Sequence, residues 1–439
     1  MNISRIQNKT PRLSRRHFLY LAGIGSLSLA TGCATHPVTG QRQFMLMSES
    51  QEIELDKENA PHQISADYGV VQDGNLQDYV SGVGRDLASR SHRPDMPYSF
   101  NTLNATYINA YAFPGGTIGV SRGILLELQD EAELASLIGH ELGHVNARHT
   151  AQRMTRGMLA QVVFTGAAAA AGPQWENVVA GLGGIGTGAL LASYSRNQER
   201  EADELGLEYM ARADYNPEGF VGLMEMLKDM SGEDRGSLEM LFSTHPMSSE
   251  RYQTAVNRVR TDYRKNSKPL YRERYMDNTA RLRQIKQAVQ DMQEGDDLMR
   301  ARKPGEAGEK YSSALQAAPE DYVANLKMSK YLLSRDKNSE ARKYASAARE
   351  IYPEEPQAMH ILGMAWLRQE KFEQALAEFS SYQERLPGNP NTVFFQGYSY
   401  EGMGRRNQAA EKYYAFLQQV NQGDKAQHAY NRLKEWGYI

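Results

Sequence analysis

Two histidines and a glutamate within five residues, His140-Glu141-Leu142-Gly143-His144, carry the chemistry most readily read from this chain. On a helix, residues four apart share a face, so both imidazoles reach one metal ion. Glu141 then lies beside the metal and can take a proton from a bound water, the arrangement of zinc-assisted hydrolysis. Five such residues also arise by chance. The reading therefore needs a helix to carry them, a third ligand and a fitting compartment.

The helix is announced by Asp130-Glu131-Ala132-Glu133, which has the spacing of a capping box with aspartate in the cap role. Leu134, Leu137, Ile138 and Leu142 then supply apolar positions through the motif. Catalytic zinc takes three protein ligands and keeps one position for water. The run Glu199-Arg200-Glu201-Ala202-Asp203 offers the third. On a second helix Glu199 and Asp203 share a face, whereas Glu201 lies about 160° from either. One of the pair binds the metal while the other orients a ligand imidazole through its second nitrogen. This sets Glu201 on the far side and is the geometric reason to prefer Glu199 as ligand, with Asp203 as the candidate to orient an imidazole. Farther back, Pro114-Gly115-Gly116 leads into an extended Thr117 to Val120. As a sheet edge this segment would pair with a substrate strand through backbone hydrogen bonds; as an internal hairpin it would not.

The chain of 439 residues is long enough for two or three domains, with 41% hydrophobic and 23% charged residues. Residues 1–32 hold five basic side chains and no acid, which leaves 45 basic against 53 acidic residues beyond them. No basic block appears, which argues against nucleic acid as a partner. The first 32 residues read as an export signal: basic residues precede an apolar stretch, Phe18 to Ala30, too short to span a bilayer comfortably. Ser14-Arg15-Arg16-His17-Phe18-Leu19 resembles a twin-arginine signal, and Ala30-Thr31-Gly32-Cys33 resembles a lipoprotein cleavage box. Cys33 is the one cysteine, so no internal disulfide is available and its thiol is the expected lipid anchor. Ala34 after it favours the outer membrane by resemblance to lipoprotein sorting. Periplasm, with outer-membrane anchoring, is the expected location.

The expected organisation is a tether and polar helix over 33–65, a metallopeptidase domain over 66–265, a linker helix over 266–287 and a repeat array over 288–439. Strands are expected at Tyr98 to Asn101 and Thr117 to Ser121. Two uncharged stretches, 157–175 and 177–195, read as packed helices or a flap, with a membrane hairpin as the alternative. In the C-terminal part Pro319, Pro353 and Pro387 recur every 34 residues, as do Ala307, Ala341, Ala375 and Ala409, and Gly295, Ser329, Gly363 and Gly397. That period with small residues and a closing proline is the tetratricopeptide signature. Four copies fit, 288–321, 322–355, 356–389 and 390–423, with Asp424 to Ile439 as a capping helix.

Taken in order, Asn109-Ala110-Tyr111-Ala112-Phe113-Pro114-Gly115-Gly116, the His140 to His144 motif, Tyr194-Ser195-Arg196, Glu199 to Asp203 and Thr244-His245-Pro246 resemble the HtpX-like and CAAX-prenyl-protease-like zinc metallopeptidases. The resemblance covers nearly the whole chain beyond the export signal and extends to family members that carry tetratricopeptide repeats. It implies a mainly α fold: a gluzincin-type metallopeptidase domain with a small β-element, followed by an α-solenoid. It also implies one zinc ion, held by His140, His144 and Glu199, with Glu141 as the base. His245 is implied either as a fourth ligand that latches the site shut or, swung aside, as a stabiliser of the oxyanion; a plain loop histidine beside Pro246 is the alternative. Arg251 pairs with a carboxylate near the site or makes a surface ion pair. His149, five residues past His144, lies off the ligand face; His360 reads as packing, and His36, His62, His92 and His428 have no evident partner.

The implied activity is endoproteolysis of misfolded or misassembled envelope proteins. The repeats would recruit those substrates or the outer-membrane barrel assembly machinery. Relatives with this pairing of domains are soluble in the periplasm, and Cys33 departs from them. The contrasting reading is a chaperone or scaffold in which proteolysis is secondary. A membrane-embedded prenyl-protein peptidase does not fit the export signal or the repeats.

Overall fold

A computed structural model describes residues 33–156, 193–233, 235–263 and 268–439, and these are mostly helical. Residues 1–32, expected as an export signal, and nearly all of the two uncharged stretches lie outside them. Among the described residues no helix is long and apolar enough to cross a membrane.

The segment expected as a tether is folded. β1 (Cys33–Thr35) pairs antiparallel with β2 (Arg42–Phe44), Cys33 opposite Phe44. The turn between them uses Gly40 at φ +68°. Ser48 then caps helix α1 (Glu49–Ala66): its Oγ accepts from the N–H of Gln51, and the Gln51 side chain accepts from the N–H of Ser48. Glu52, on the first turn of α1, is fully buried between Arg93 and Arg148, which ties this helix to the domain behind it.

Helix α2 (Gly74–Ser89) covers a three-stranded sheet of β3 (Ser99–Leu103), β4 (Ala110–Ala112) and β5 (Thr117–Ser121), ordered β3-β5-β4. β3 runs parallel to β5 and β4 antiparallel to it. Thr117 to Val120 is therefore a central strand, and the expectation of a free edge there is corrected. Pro114, Gly115 and Gly116 form the buried turn from β4 into β5, where Phe113 donates to the Thr117 carbonyl. Asp56 accepts from both the N–H and the Oγ1 of Thr117, at 3.0 and 2.6 Å. No hydrogen-bonding edge is left there for a substrate.

A short α3 (Arg122–Leu125) leads to the motif helix α4 (Glu131–Asn146), every residue of which is buried. α5 (Arg196–Arg212) crosses α4, and α6 (Glu218–Met230), α7 (Glu239–Thr244) and α8 (Ser249–Asp262) complete the domain. After α9 (Arg272–Gln284) come four helix pairs: α10 (Lys286–Arg300) with α11 (Pro304–Ala317), α12 (Tyr322–Ser334) with α13 (Asn338–Ile351), α14 (Pro356–Leu367) with α15 (Phe372–Arg385), and α16 (Pro390–Gly402) with α17 (Arg406–Leu417). α18 (Asp424–Glu435) covers the last pair.

The 34-residue step has a packing cause. A β-carbon on Gly295, Gly363 or Gly397 would come within 2.8 Å of the ring of Tyr311, Phe379 or Tyr413, respectively. In the second repeat Ser329 instead donates to the Ala341 carbonyl at 2.8 Å. Small residues on one helix therefore accept the aromatic of its partner.

The array is fastened to the domain that precedes it. Arg122 is buried and pairs with the half-buried Asp321 at 2.5 and 3.1 Å. Ser65, at the end of α1, donates to Glu355 at 2.6 Å. Burial pushes the Glu355 carboxyl up to about 7, against the opposing hydrogen bonds from Ser65 and Gln357. Because the folded form holds this proton above the ordinary glutamate range, Glu355 stabilises the fold most at acid pH and loses that contribution as pH rises towards 7. We expect Glu355→Gln to raise the thermal midpoint at pH 8 more than at pH 5, measured by scanning calorimetry. An equal shift at both pH values would remove this role.

Candidate metal centre

Two capped helices deliver the site. Asp130 caps α4 by accepting from the N–H of Glu133 at 2.9 Å, while Glu133 reaches past it to the N–H of Gln129. α5 opens with a full capping box: Ser195 Oγ accepts from Gln198 N–H, and Gln198 Oε1 accepts from Ser195 N–H. This Ser-x-x-Gln signal was available in the chain and places Glu199 in the first helical turn. The helices approach closely because no β-carbon separates them. One on Gly143 would meet the Ala202 carbonyl at 2.8 Å, and one on Gly206 would meet the His140 N at 2.8 Å. Gly206→Ala should therefore push His140 away from Glu199. We expect at least about tenfold weaker zinc binding from it, by analogy with disturbed second-shell support, read by chelator competition. Undiminished binding would show that the crossing tolerates the methyl group.

The structure brings His140, His144, Glu199 and His245 together, all buried, with one donor atom from each lying within 4.8 Å of the others. His140 Nε2 is 3.1 Å from His144 Nε2 and 3.3 Å from His245 Nδ1. Glu199 Oε1 is 3.2 Å from His245 Nδ1 and 3.4 Å from His144 Nε2, and Glu199 Oε2 is 3.6 Å from His140 Nε2. Tetrahedral zinc with bonds of about 2.0–2.1 Å needs ligand atoms about 3.3 Å apart. The distances and the donor types both suit that ion. Glu141 is also buried; its Oε1 lies 3.7 Å from His245 Nε2, and its Oε2 has no hydrogen-bond partner.

Burial pushes the Glu141 carboxyl up and the His144 imidazole well down. It opposes charge on Glu199 too, but His245 and His144 outweigh it and hold that carboxyl well below its ordinary range. For His245, burial alone would lower its basicity; Glu199 and Glu141 reverse the direction.

The rings of His140 and His144 are anchored from behind. Asp203 Oδ1 lies 2.9 Å from His140 Nδ1, the supporting place expected for it. Arg251 is 5% exposed, grips Asp203 with two bonds of 2.7 Å, and sets its Nη1 2.6 Å from Glu199 Oε2. It belongs to the site and not to the surface. Tyr194 stacks on His144, ring centroids 3.7 Å apart. His149 has a role that its spacing hid: its Nδ1 is 2.9 Å from His144 Nδ1. Arg148, at φ +58°, breaks the helix between α4 and His149 and re-aims the ring, so the five-residue offset no longer tells where it points. Glu201 stays off the donor set and faces His149 and His36. His92 and His428 are also partnered, by Tyr209 and by Glu401.

Residues 75–259 match peptidase family M48, and residues 326–390 match a tetratricopeptide repeat family. The chain is 30% identical over 209 residues to the beta-barrel assembly-enhancing protease of Yersinia pestis, covering 45% of this chain and 42% of that protein. The protein of the same name from Escherichia coli K12 is 26% identical over 238 residues, covering 53% of this chain and 48% of that one. The chain thus aligns with about half the length of these relatives. Among solved structures, the tetratricopeptide protein YrrB overlays 42% of this chain and 92% of its own, with 18% identity and a TM-score of 0.31.

Proposed function

We propose that this chain, an M48 metallopeptidase domain followed by tetratricopeptide repeats, is a zinc-dependent endopeptidase of the bacterial cell envelope that is closed at rest. The observation that carries the reading is the buried quartet of His140, His144, Glu199 and His245 with Glu141 beside it. Zinc in that quartet would acidify a water and polarise the scissile carbonyl. His140, His144 and Glu199 would hold the ion, and Asp203 with Arg251 orients His140. His245, whose Nδ1 lies 3.3 Å from His140 Nε2 and 3.2 Å from Glu199 Oε1, would have to swing aside to admit a water, whose proton Glu141 is placed to accept and to pass to the leaving amine. β4 is the outer strand on the antiparallel side of the sheet and packs on α4. An extended substrate would pair there, which selects unfolded chains over folded ones.

The repeats are taken to recruit misassembled envelope proteins or the outer-membrane barrel assembly machinery. The expected export signal and the likeness to beta-barrel assembly-enhancing proteases support an envelope address. Anchoring to the outer membrane through a lipid on Cys33 belongs to the same proposal. The place of His245 among the other three donors also favours a second reading, a chaperone or scaffold in which proteolysis is secondary. Expression of Glu141→Gln in cells lacking the wild-type chain separates the two. Loss of outer-membrane protein assembly supports the protease; full assembly by the inert variant supports the scaffold.

A further inference from the structure

His140 and His144 are anchored by different devices, and the second reaches the N-terminal hairpin. When His144 presents Nε2 to a metal, its proton sits on Nδ1 and must be donated. The acceptor is His149 Nδ1 at 2.9 Å. That fixes the His149 tautomer, so its Nε2–H donates to Glu201 Oε2 at 3.2 Å. The other oxygen of Glu201 lies 3.4 Å from His36 Nε2. His36 is fixed as well, because its Nδ1 accepts from the N–H groups of Val38 and Thr39, both at 3.3 Å. Its Nε2 therefore carries the proton that meets Glu201. Every proton in the sequence His144, His149, Glu201, His36 is assigned by a neighbouring bond.

The surrounding backbone is built to hold this line. Arg148 occupies the left-handed region, unusual for a residue with a side chain, and the bonds of its Nε to Glu52 and its Nη2 to the Met47 carbonyl keep it there. His149 is 0% exposed and His36 7%. Leu46, just past β2, donates to Thr155 Oγ1 at 3.2 Å, so the hairpin is also fastened to the helical segment that begins at His149.

We infer that His149, Glu201 and His36 are positioning residues for the metal ligand His144, and that the hairpin starting at Cys33 is thereby part of the metal centre. The inference rests on the zinc reading of the quartet. It adds a second support line to the one from Asp203 and Arg251, and it makes metal affinity depend on how the N-terminal segment is seated.

The test is zinc affinity of the full chain, read by competition with a chromophoric chelator, which needs no proteolysis. Second-shell supports of ligand histidines are worth about 10- to 100-fold in metal affinity. Glu201→Ala, at a side chain 34% exposed, should weaken zinc binding about tenfold within that range while leaving the zinc-free thermal midpoint unchanged. His36→Ala should weaken it less, and the double variant should match Glu201→Ala alone, because both act through one line. His149→Asn, which restores an acceptor near Nδ1, should bind zinc more tightly than His149→Ala; a merely structural role would not produce that rescue. Wild-type zinc affinity in Glu201→Ala, or additive losses in the double variant, would overturn the inference. Failure of the wild-type chain to bind zinc would overturn the reading beneath it.

Discussion

Glu141→Gln is expected to lose proteolysis of an unfolded protein such as casein by about 10²- to 10⁴-fold, the range supplied by general acid–base catalysis. The substitution keeps the shape of the side chain. It also leaves the four proposed donors, His140, His144, Glu199 and His245, untouched. Glu141 Oε2 is buried without a hydrogen-bond partner, and burial raises the affinity of this carboxyl for a proton. Those are the properties of a base that waits for one water. An amide can accept a hydrogen bond but cannot carry the proton onward. Zinc content and thermal stability should stay at wild-type levels, measured on the same preparation. Activity within a few-fold of wild type would mean that another group is the base.

His245→Ala is expected to act in the opposite direction and raise basal proteolysis about tenfold or more, since an enzyme locked mostly in an incompetent state works in proportion to its competent fraction. His245 follows the last turn of α7, with its N–H still bonded to the Leu241 carbonyl. Its Nδ1 lies within 3.3 Å of both His140 Nε2 and Glu199 Oε1, while its Nε2 faces Glu141. One ring thus lies against two of the proposed ligands and against the proposed base. The neighbouring Thr244 carbonyl accepts from Tyr194 N–H at 3.1 Å, which ties the latch to the residue stacked on His144. Removing a ligand also weakens metal binding, so the assay belongs at saturating zinc. A zinc-replete but inactive variant would instead make His245 a working residue, as an oxyanion stabiliser would be.

What the chain disclosed in advance is what depends on local spacing. The i, i+4 pairs His140/His144 and Glu199/Asp203 each share a helical face, and the structure brings those faces together across the glycines of α4 and α5. The 34-residue step predicted the repeat array, because Gly295, Gly363 and Gly397 each answer an aromatic in their own helix pair, while Ser329 bonds the Ala341 carbonyl of its partner helix. What spacing could not disclose depends on neighbours distant in the chain. The extended run Thr117 to Val120 showed a strand but not its place between β3 and β4. β4 has only three residues, all buried, and no alternation to reveal it. Arg251 was ambiguous because an ion pair reads the same in sequence whether it is exposed or, as here, buried against Asp203. His149 was set aside by counting along a helix that Arg148 interrupts. His36 meets Glu201 only because residues 33–44 fold back as a hairpin.

The central claim is that three imidazoles and one carboxylate of this chain hold a single zinc ion at rest. X-ray absorption at the zinc edge, on the purified full chain with its metal content quantified, addresses it most directly. The account predicts one zinc per chain, four-coordinate, with three imidazoles in the first shell, falling to two in His245→Ala. Metal well below one per chain, or two imidazoles already in the wild type, would contradict it.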